Sequence, residues 1–247
     1  MEFDGLFLEK LKKAKSIVFF TGAGISAESG IPTFRGKDGI WNKLKPEELA
    51  SFDAFMRNPE MVWEWYQYRR KIINDSMPNP GHSAIAEMEK YFDEVTVVTQ
   101  NVDNLHRRAG STNILELHGN IERNYCVDCR TEYYSPDLSS ETKVPTCKMC
   151  GGLVRPDVVW FGEMLPQDVF INAEKKAGES DICFIAGTSA VVYPAAYIPM
   201  SAKEGGSYLV EINIEPTEIS RAVDYSIFGK SGEILPKVLE IVKEFFG

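Results

Sequence analysis

Short runs of apolar residues recur along the chain, and stretches with helical character separate them. Four runs are rich in β-branched or aromatic residues and are predicted to be strands: Ser16–Phe20, Val95–Thr99, Ile182–Ala186 and Tyr208–Ile214. A helical stretch precedes each of the last three, and this alternation is typical of an open parallel sheet with helices on both faces. The pattern therefore predicts an α/β fold built on a Rossmann-like, doubly wound parallel sheet.

Polar or glycine-rich segments lie at the ends of the predicted strands. They are Gly22-Ala-Gly24, Gln100-Asn-Val-Asp103, Gly187-Thr-Ser189 and Asn213-Ile-Glu215. In open parallel sheets, ligands bind at the carboxyl ends of the strands. We therefore expect the four segments to converge on one ligand-binding crevice.

Two insertions interrupt the alternation and are predicted to form a small domain. The first, residues 46–79, is a helical insertion whose main helix carries several aromatic residues and should end before Pro78. The second, residues 122–154, holds four of the five cysteines. Residues 1–45, 80–121 and 155–247 are left for a discontinuous Rossmann-like domain, closed by an amphipathic helix over Gly232–Phe246.

Composition limits the classes of protein to consider. The chain has 247 residues, 44% hydrophobic and 26% charged, which fits one substantial core with a small module attached. No apolar run is long enough to span a bilayer and the N-terminus lacks the basic start of a signal peptide, so a cytoplasmic protein is expected. The net charge of −9 makes direct nucleic-acid binding unlikely, because phosphate contacts normally use clustered Lys and Arg.

The cysteines show the spacing of a zinc site. Cys126-x-x-Cys129 and Cys147-x-x-Cys150 are two pairs separated by 17 residues, a spacing typical of four-cysteine tetrahedral zinc sites. Four thiolates leave no coordination position for water, so this zinc would be structural and not catalytic. The alternative is two reducible CxxC pairs, for which the doubled spacing is less typical. Cys183 lies in a predicted core strand and is expected to be a buried apolar residue.

The segment from Gly22 has the features of a nucleotide loop. It follows a strand, and its glycines are expected to permit positive φ and to let backbone amides approach phosphate. It departs from the G-x-G-x-x-G pattern, because Ala27 stands at the third glycine position and no clear acidic residue follows at the usual distance. Taken alone, it could be a simple glycine-rich turn.

The longer sequence around this loop resembles the sirtuins. The block Gly22-Ala-Gly-Ile-Ser-Ala-Glu-Ser-Gly-Ile-Pro-Thr-Phe-Arg35 is similar to their cofactor loop, and Thr99-Gln-Asn-Val-Asp103 to their nicotinamide-pocket motif. Leu117-His-Gly119 resembles the segment with their catalytic histidine, Val158-Val-Trp-Phe-Gly-Glu163 their peptide-binding strand, and Gly187-Thr-Ser189 with Asn213-Ile-Glu215 their adenosine side. Together with the zinc module, these motifs occur in the family's order along the whole chain.

The resemblance implies an NAD-dependent protein-lysine deacylase that consumes NAD and yields nicotinamide, O-acyl-ADP-ribose and free lysine. It implies catalytic roles for His118 as general base and for Asn101. The implied cofactor-binding residues are Gly22, Ala23, Gly24, Ala27, Thr33, Phe34, Arg35, Trp41, Gln100, Asn101, Asp103, Gly187, Thr188, Ser189, Asn213, Ile214, Glu215 and Ser231. The implied peptide-binding residues are Val159, Trp160, Phe161, Gly162, Glu163, Val192 and Tyr193. His82 and His106 are expected to be structural.

Two residues of the helical insertion narrow the expected substrate. Tyr66 and Arg69 are three positions apart and share one helix face, so a phenol and a guanidinium can bind the same anion. The pair resembles the Tyr-x-x-Arg signature of sirtuins that remove succinyl and malonyl groups. A solvated arginine on an aromatic helix is the alternative interpretation. Arg70 is expected to lie at the surface.

Other functions are compatible with the same sequence motifs. A plain deacetylase or a mono-ADP-ribosyltransferase would share the NAD pocket, and a non-catalytic NAD-sensing module would keep the loop without turnover. A conventional Rossmann dehydrogenase is less compatible, because the third glycine and a second substrate domain are missing.

Overall fold

A computed structural model describes residues 2–34, 39–40, 45–134 and 144–247. Its main element is a six-stranded parallel sheet in the order β3-β2-β1-β7-β8-β9. The strands are β1 (Ser16–Thr21), β2 (Glu94–Thr99), β3 (Ile114–Glu116), β7 (Ile182–Ala186), β8 (Tyr208–Asn213) and β9 (Tyr225–Phe228). The four predicted strands are β1, β2, β7 and β8, so the predicted doubly wound sheet is confirmed.

Alternate side chains of the central strands enter two hydrophobic layers. In β1, Ile17 and Phe19 face one layer and Val18 and Phe20 face the other. Helices α1 (Gly5–Lys13), α6 (Pro80–Met88) and α10 (Ser231–Phe246) cover the first layer, and α8 (Gln167–Gly178) and α9 (Tyr197–Glu204) cover the second. Burial on both faces explains why these strands are almost wholly apolar. The predicted closing helix is α10, which starts one residue earlier than expected.

A second, antiparallel sheet of three strands holds the cysteines. Its order is β5-β4-β6, with β4 (Gly119–Cys126), β5 (Glu132–Tyr134) and β6 (Val154–Val158). The helices α3 (Pro46–Leu49), α4 (Phe52–Arg57) and α5 (Pro59–Asp75) precede it in the chain. In α5, the Asn58 side chain caps the start and Ser76 follows the end, so the helix stops before Pro78 as predicted.

Two short helices complete the fold: α2 (Ala23–Ser26) follows β1, and α7 (Leu105–Ala109) follows β2. Both therefore begin near the carboxyl ends of neighbouring strands, where the sequence predicts the ligand crevice. Among the described residues, no helix has the length and apolar character needed to cross a membrane.

Candidate functional site

The glycine loop after β1 packs directly on the loop after β7. The Gly24 amide donates to the Gly187 carbonyl at 2.7 Å. A Cβ at Gly22 would lie 2.6 Å from Thr188 Cβ, and one at Gly24 would lie 2.7 Å from the Gly187 oxygen. Gly22 has φ −133° and Gly24 is helical, so the expectation of positive φ here is wrong. These glycines are required by the close approach of Gly187, which itself has φ +61°.

Polar side chains connect the four strand ends. Asn101 Nδ2 donates to the Gly22 carbonyl at 3.0 Å, and Gln100 Nε2 donates to Thr188 Oγ1 at 2.9 Å. Asn213 Nδ2 donates to the Thr188 carbonyl at 3.0 Å. The predicted convergence of these segments is confirmed. The crevice is therefore preorganised by hydrogen bonds within the protein.

Behind Asn101 lies a buried polar cluster centred on Asp103. The Asp103 carboxylate accepts from Ser26 Oγ at 2.7 Å and from the Leu105 amide at 3.0 Å. Burial raises the Asp103 pKa, although these hydrogen bonds and the positive charge of Arg69 oppose the shift. Ser26 also accepts from Asn101 Nδ2 at 3.3 Å, so it connects the carboxylate to the crevice. Sequence reasoning missed the role of Ser26, although it lies in the glycine loop.

Two buried histidines pack next to this cluster. The His82 and His106 rings meet edge-to-face at 4.8 Å. His82 Nδ1 accepts from the Asn79 amide at 3.3 Å and completes the cap of α6, while His106 Nε2 lies 3.0 Å from Thr21 Oγ1. Burial lowers the pKa of His82 to about 4 and that of His106 well below its usual range, so both are neutral near pH 7. These contacts support the structural roles predicted for both histidines.

His118 lies between the two sheets, just before β4. Its Nδ1 is 3.0 Å from the Gln100 carbonyl, which can only accept, so Nδ1 carries the proton and Nε2 keeps a free lone pair. Its own carbonyl accepts from the Val159 amide at 3.0 Å. Burial lowers the His118 pKa, and the hydrogen bond to Gln100 opposes the shift. A neutral imidazole with a fixed tautomer is suited to act as a general base at neutral pH.

The segment predicted to bind a peptide follows β6. Its amides are used within the protein: Val159 donates to His118, Trp160 to the Glu163 carboxylate and Phe161 to the Ala50 carbonyl. These three amides therefore already donate within the protein, and backbone pairing of this segment with a peptide stays a prediction. Phe161 is 48% exposed and Gly162 has φ +87°.

Two side chains of this segment, those of Trp160 and Glu163, bond to other residues of the protein. Trp160 is buried, and its Nε1 donates to Tyr66 Oη at 2.8 Å. Glu163 forms an ion pair with the buried Arg155 through both carboxylate oxygens. Across the crevice, Tyr193 is exposed and Val192 is half-buried.

Tyr66 and Arg69 lie on α5 beside a group of aromatic rings. Both are buried, and the Arg69 guanidinium carbon lies 4.5 Å from the Phe34 ring centre and 6.0 Å from that of Trp65. Among the described residues, Arg69 makes no hydrogen bond or ion pair, and its electrostatic partners are Tyr66 and Asp103. Burial raises the pKa of Tyr66, so its hydroxyl keeps a proton to donate. The pair is therefore equipped to bind an anion.

The expectation for Arg70 is wrong. It is only 5% exposed, and its Nε donates to the Ile121 carbonyl at 2.8 Å. Its Nη2 donates to Asn124 Oδ1, and its guanidinium carbon lies 4.9 Å from the Trp63 ring centre. Arg70 is a buried contact between α5 and the three-stranded sheet.

The four predicted cysteine ligands form one cluster at the end of this sheet. All four sulfur atoms lie within 4.8 Å of one another, with Cys126 and Cys150 Sγ 3.4 Å apart and Cys129 and Cys147 Sγ 3.5 Å apart. A disulfide would need sulfur atoms about 2.05 Å apart, whereas tetrahedral Zn–S bonds of about 2.3 Å fit this spacing. The cysteines would hold a closed, structural zinc ion. Cys183 is buried in β7, as expected.

The remaining predicted cofactor residues border the crevice or begin α10, except for two that lie outside the described residues, Arg35 and Trp41. Ser231 is buried at the first position of α10, whereas Ile214 and Glu215 are exposed after β8. The remaining predicted cofactor residues lie in the segments that follow β1 and β7. They are Ala23, Ala27, Thr33, Phe34 and Ser189.

Comparison with known proteins identifies relatives over nearly the whole chain. The Sir2 family profile matches residues 22–194. The "NAD-dependent protein deacylase 2" of Pyrobaculum aerophilum is 53% identical over 233 residues, covering 94% of this chain and 93% of that protein. The "NAD-dependent protein deacylase" of Pyrococcus furiosus is 52% identical over 240 residues, covering 94% and 95%.

The solved structures that resemble this chain are also Sir2 proteins. An ADP-ribose complex of a Sir2 homologue variant superposes with a TM-score of 0.95 at 44% identity, covering 98% of this chain and 97% of that one. A Sir2 complex with a p53 peptide and NAD⁺ has a TM-score of 0.86 at 35% identity, covering 96% and 97%.

Proposed function

The chain belongs to the Sir2 family, and from this we propose that it is an NAD-dependent protein-lysine deacylase whose preferred acyl groups carry a negative charge. NAD would bind at the carboxyl ends of the parallel strands, and the products would be nicotinamide, an O-acyl-ADP-ribose and free lysine. The protein partners would be segments containing acyl-lysine. The observation that carries the acyl preference is the buried Arg69 without a hydrogen-bonded or ionic partner among the described residues.

The strand-end crevice supports the NAD assignment through its polar groups. Bound NAD supplies an activated ribose carbon from which nicotinamide can leave. Asn101 and Asp103 lie next to each other after β2, and their amide and carboxyl groups can pair with a carboxamide. The amides of Gly22 and Gly24 donate to the Ala186 and Gly187 carbonyls, so close approach of phosphate to this loop would rest on the absence of side chains at the two glycines.

His118 supplies the base in this proposal. Because its Nδ1–H is held by the Gln100 carbonyl, Nε2 is the atom that can remove a proton from a ribose hydroxyl. Its lowered pKa keeps the imidazole neutral at physiological pH.

The pocket under α5 supports a charged acyl group. A buried guanidinium is stabilised by a carboxylate partner, and the described residues offer Arg69 only the more distant Asp103. A succinyl or malonyl carboxylate would provide the missing partner in bidentate geometry, and the Tyr66 hydroxyl could add one hydrogen bond. Trp160 donates to Tyr66 Oη, which fixes the phenol while leaving its proton free to donate.

The test is a set of identical peptides that carry acetyl-, succinyl- or malonyl-lysine, assayed for NAD-dependent nicotinamide release. We expect the succinyl and malonyl peptides to have the higher kcat/KM. A preference for the acetyl peptide would make the chain a plain deacetylase. Labelling of protein by ADP-ribose without release of free lysine would make it a mono-ADP-ribosyltransferase.

Arg69→Met tests the pocket itself. We expect kcat/KM for the succinyl peptide to fall by about two powers of ten, the scale of one buried charged hydrogen-bonded pair, while the acetyl peptide changes much less. Lys71→Met is the matched control, because Lys71 is an exposed cation on the same helix. Equal losses on both peptides in Arg69→Met would contradict the proposed acyl preference.

A further inference from the structure

Two adjacent arginines on α5 have opposite surroundings. Arg69 lies among aromatic rings and points into the acyl pocket, without a hydrogen bond to any described residue. Arg70 is fully engaged: Nε donates to the Ile121 carbonyl at 2.8 Å and Nη2 donates to Asn124 Oδ1. Both acceptors belong to β4, more than fifty positions further along the chain. Arg70 therefore connects the helix of the acyl pocket to the zinc-bearing sheet.

The contacts of Arg70 restrain rotation of α5 about its axis. The guanidinium is planar, and it is held by two acceptors on β4, by Gln67 Oε1 of α5 at 3.5 Å and by the Trp63 ring, whose centre is 4.9 Å away. Consecutive residues of a helix are rotated by about 100° relative to each other, so a fixed direction for Arg70 also fixes the direction of Arg69. Tyr66, one turn earlier on the face of Arg69, is fixed in the same way.

The cost of burying Arg70 indicates that its position matters. Burial lowers its pKa to about 10, which still leaves it charged at neutral pH. None of the ion pairs found in the described ranges includes Arg70, and its three acceptors, on Gln67, Ile121 and Asn124, are neutral. An apolar residue could fill the same space without desolvating a charge. What an apolar residue could not supply is the directional connection to β4.

We propose that Arg70 is a positioning residue for acyl specificity, which holds Tyr66 and Arg69 in register with the distal carboxylate of the acyl chain. This inference rests on the proposed preference for charged acyl groups. A residue with this role affects the affinity for one class of substrate. A residue that only stabilises the fold affects all substrates alike.

The test compares Arg70→Met with wild type in the full-length, zinc-loaded enzyme, using succinyl and acetyl versions of one peptide. We expect KM for the succinyl peptide to rise about tenfold, because a displacement of about 1 Å in a positioned group has effects of this order or larger. We expect kcat for both peptides and KM for the acetyl peptide to change less than about twofold. Arg70→Lys, which keeps the charge and can reach one acceptor, should recover part of the succinyl affinity.

Asn124→Ala provides an independent variant in case Arg70→Met does not fold. It removes the side-chain acceptor from β4 and should raise KM for the succinyl peptide in the same direction. If both residues act through one contact, the double variant should show less than the product of the two single effects. Measured zinc content shows whether the three-stranded sheet persists in each variant.

The outcomes separate the inference from the function on which it rests. The inference is overturned if folded Arg70→Met and Asn124→Ala keep the wild-type ratio of succinyl to acetyl KM, or if both KM values rise by one common factor. If wild type shows no preference for the succinyl peptide, or if Arg69→Met leaves that preference intact, the proposed acyl preference fails first. A lost preference in Arg69→Met and an unchanged one in Arg70→Met would disprove the role of Arg70 alone.

Discussion

In the six-stranded sheet, the strands are covered on both faces by apolar layers, whereas the three-stranded sheet encloses arginines and cysteines. Val18 and Phe19 of β1 enter opposite hydrophobic layers of the large sheet. In the small sheet, Arg155 is 2% exposed and lies 3.4 Å from the Trp160 ring centre, while Cys126 and Cys147 pack against Trp63. The large sheet is thus stabilised mainly by apolar burial, and the small one depends on directional contacts and on its metal.

The two regions also divide the proposed chemistry. The carboxyl edge of the large sheet carries the residues assigned to NAD, and their polar groups are hydrogen-bonded to one another. The small sheet and α5 carry the residues proposed for the acyl pocket, where Arg69 lacks such a partner among the described residues. His118 lies where the two regions meet, bonded to Gln100 on one side and to Val159 on the other. Each region can therefore be disturbed separately.

Removal of a zinc ligand should have the largest effect, and it should affect the small sheet. In Cys147→Ser we expect loss of zinc and unfolding of the three-stranded sheet, because structural zinc binding is worth on the order of 10 kcal/mol of apparent folding free energy. Zinc content and thermal unfolding, followed by tryptophan fluorescence to which Trp63 beside the cysteines contributes, measure both effects. Cys183→Ala is the matched control, since Cys183 is buried in the large sheet and should leave the zinc in place. Full zinc retention in Cys147→Ser would contradict the assignment.

The second largest effect should come from loss of His118, which lies where the two regions meet. In His118→Asn we expect kcat to fall by about 10²–10⁴-fold on all acyl peptides, the range for loss of a general base, with the fold and NAD affinity preserved. In wild type, kcat/KM should fall with acidity only below the usual histidine pKa of 6.5, because burial lowers the pKa of His118 and protonation removes the base. NAD binding by calorimetry distinguishes lost chemistry from lost binding. Unchanged turnover in His118→Asn would mean that another group acts as the base, whereas NAD binding without turnover in wild type would favour the NAD-sensing role.

The contrast between the two sheets explains what the sequence could predict. Strands β1, β2, β7 and β8 could be predicted because burial on both faces requires continuous apolar runs. Strand β9 was missed, since it has only four residues at the sheet edge and only Ile227 among them is buried. Strands β4 and β6 were missed because they contain polar residues such as Asn124 and Arg155 that are buried through distant partners.

The same reasoning applies to the candidate site. The cysteine cluster and the convergence of the strand ends followed from local spacing and from sheet topology. The burial of Arg70 could not be predicted, because its acceptors on β4 are more than fifty positions away and no local pattern identifies them. The glycine loop was recognised for the wrong physical reason, since its requirement for glycine comes from contact with Gly187.

The smallest expected effect is a dependence of the free energy of unfolding on pH, which arises in the large sheet through His82. His82 packs against the large sheet with a pKa of about 4, whereas in the unfolded chain it titrates near 6.5. The unfolded state therefore binds more protons between these values, so titration of His82 leaves stability unchanged above pH 6.5 and lowers it as the pH falls toward 4. We expect the loss to be about 3 kcal/mol in the free energy of unfolding.

His82→Gln isolates this contribution, because the glutamine oxygen can still accept from the Asn79 amide at the start of α6. Urea unfolding at pH 7 and pH 4.5 should show a smaller acid destabilisation in His82→Gln than in wild type. Acid also protonates the zinc-bound thiolates, but that loss is common to both proteins and cancels in the difference. Parallel stability curves for the two proteins would show that folding does not lower the pKa of His82.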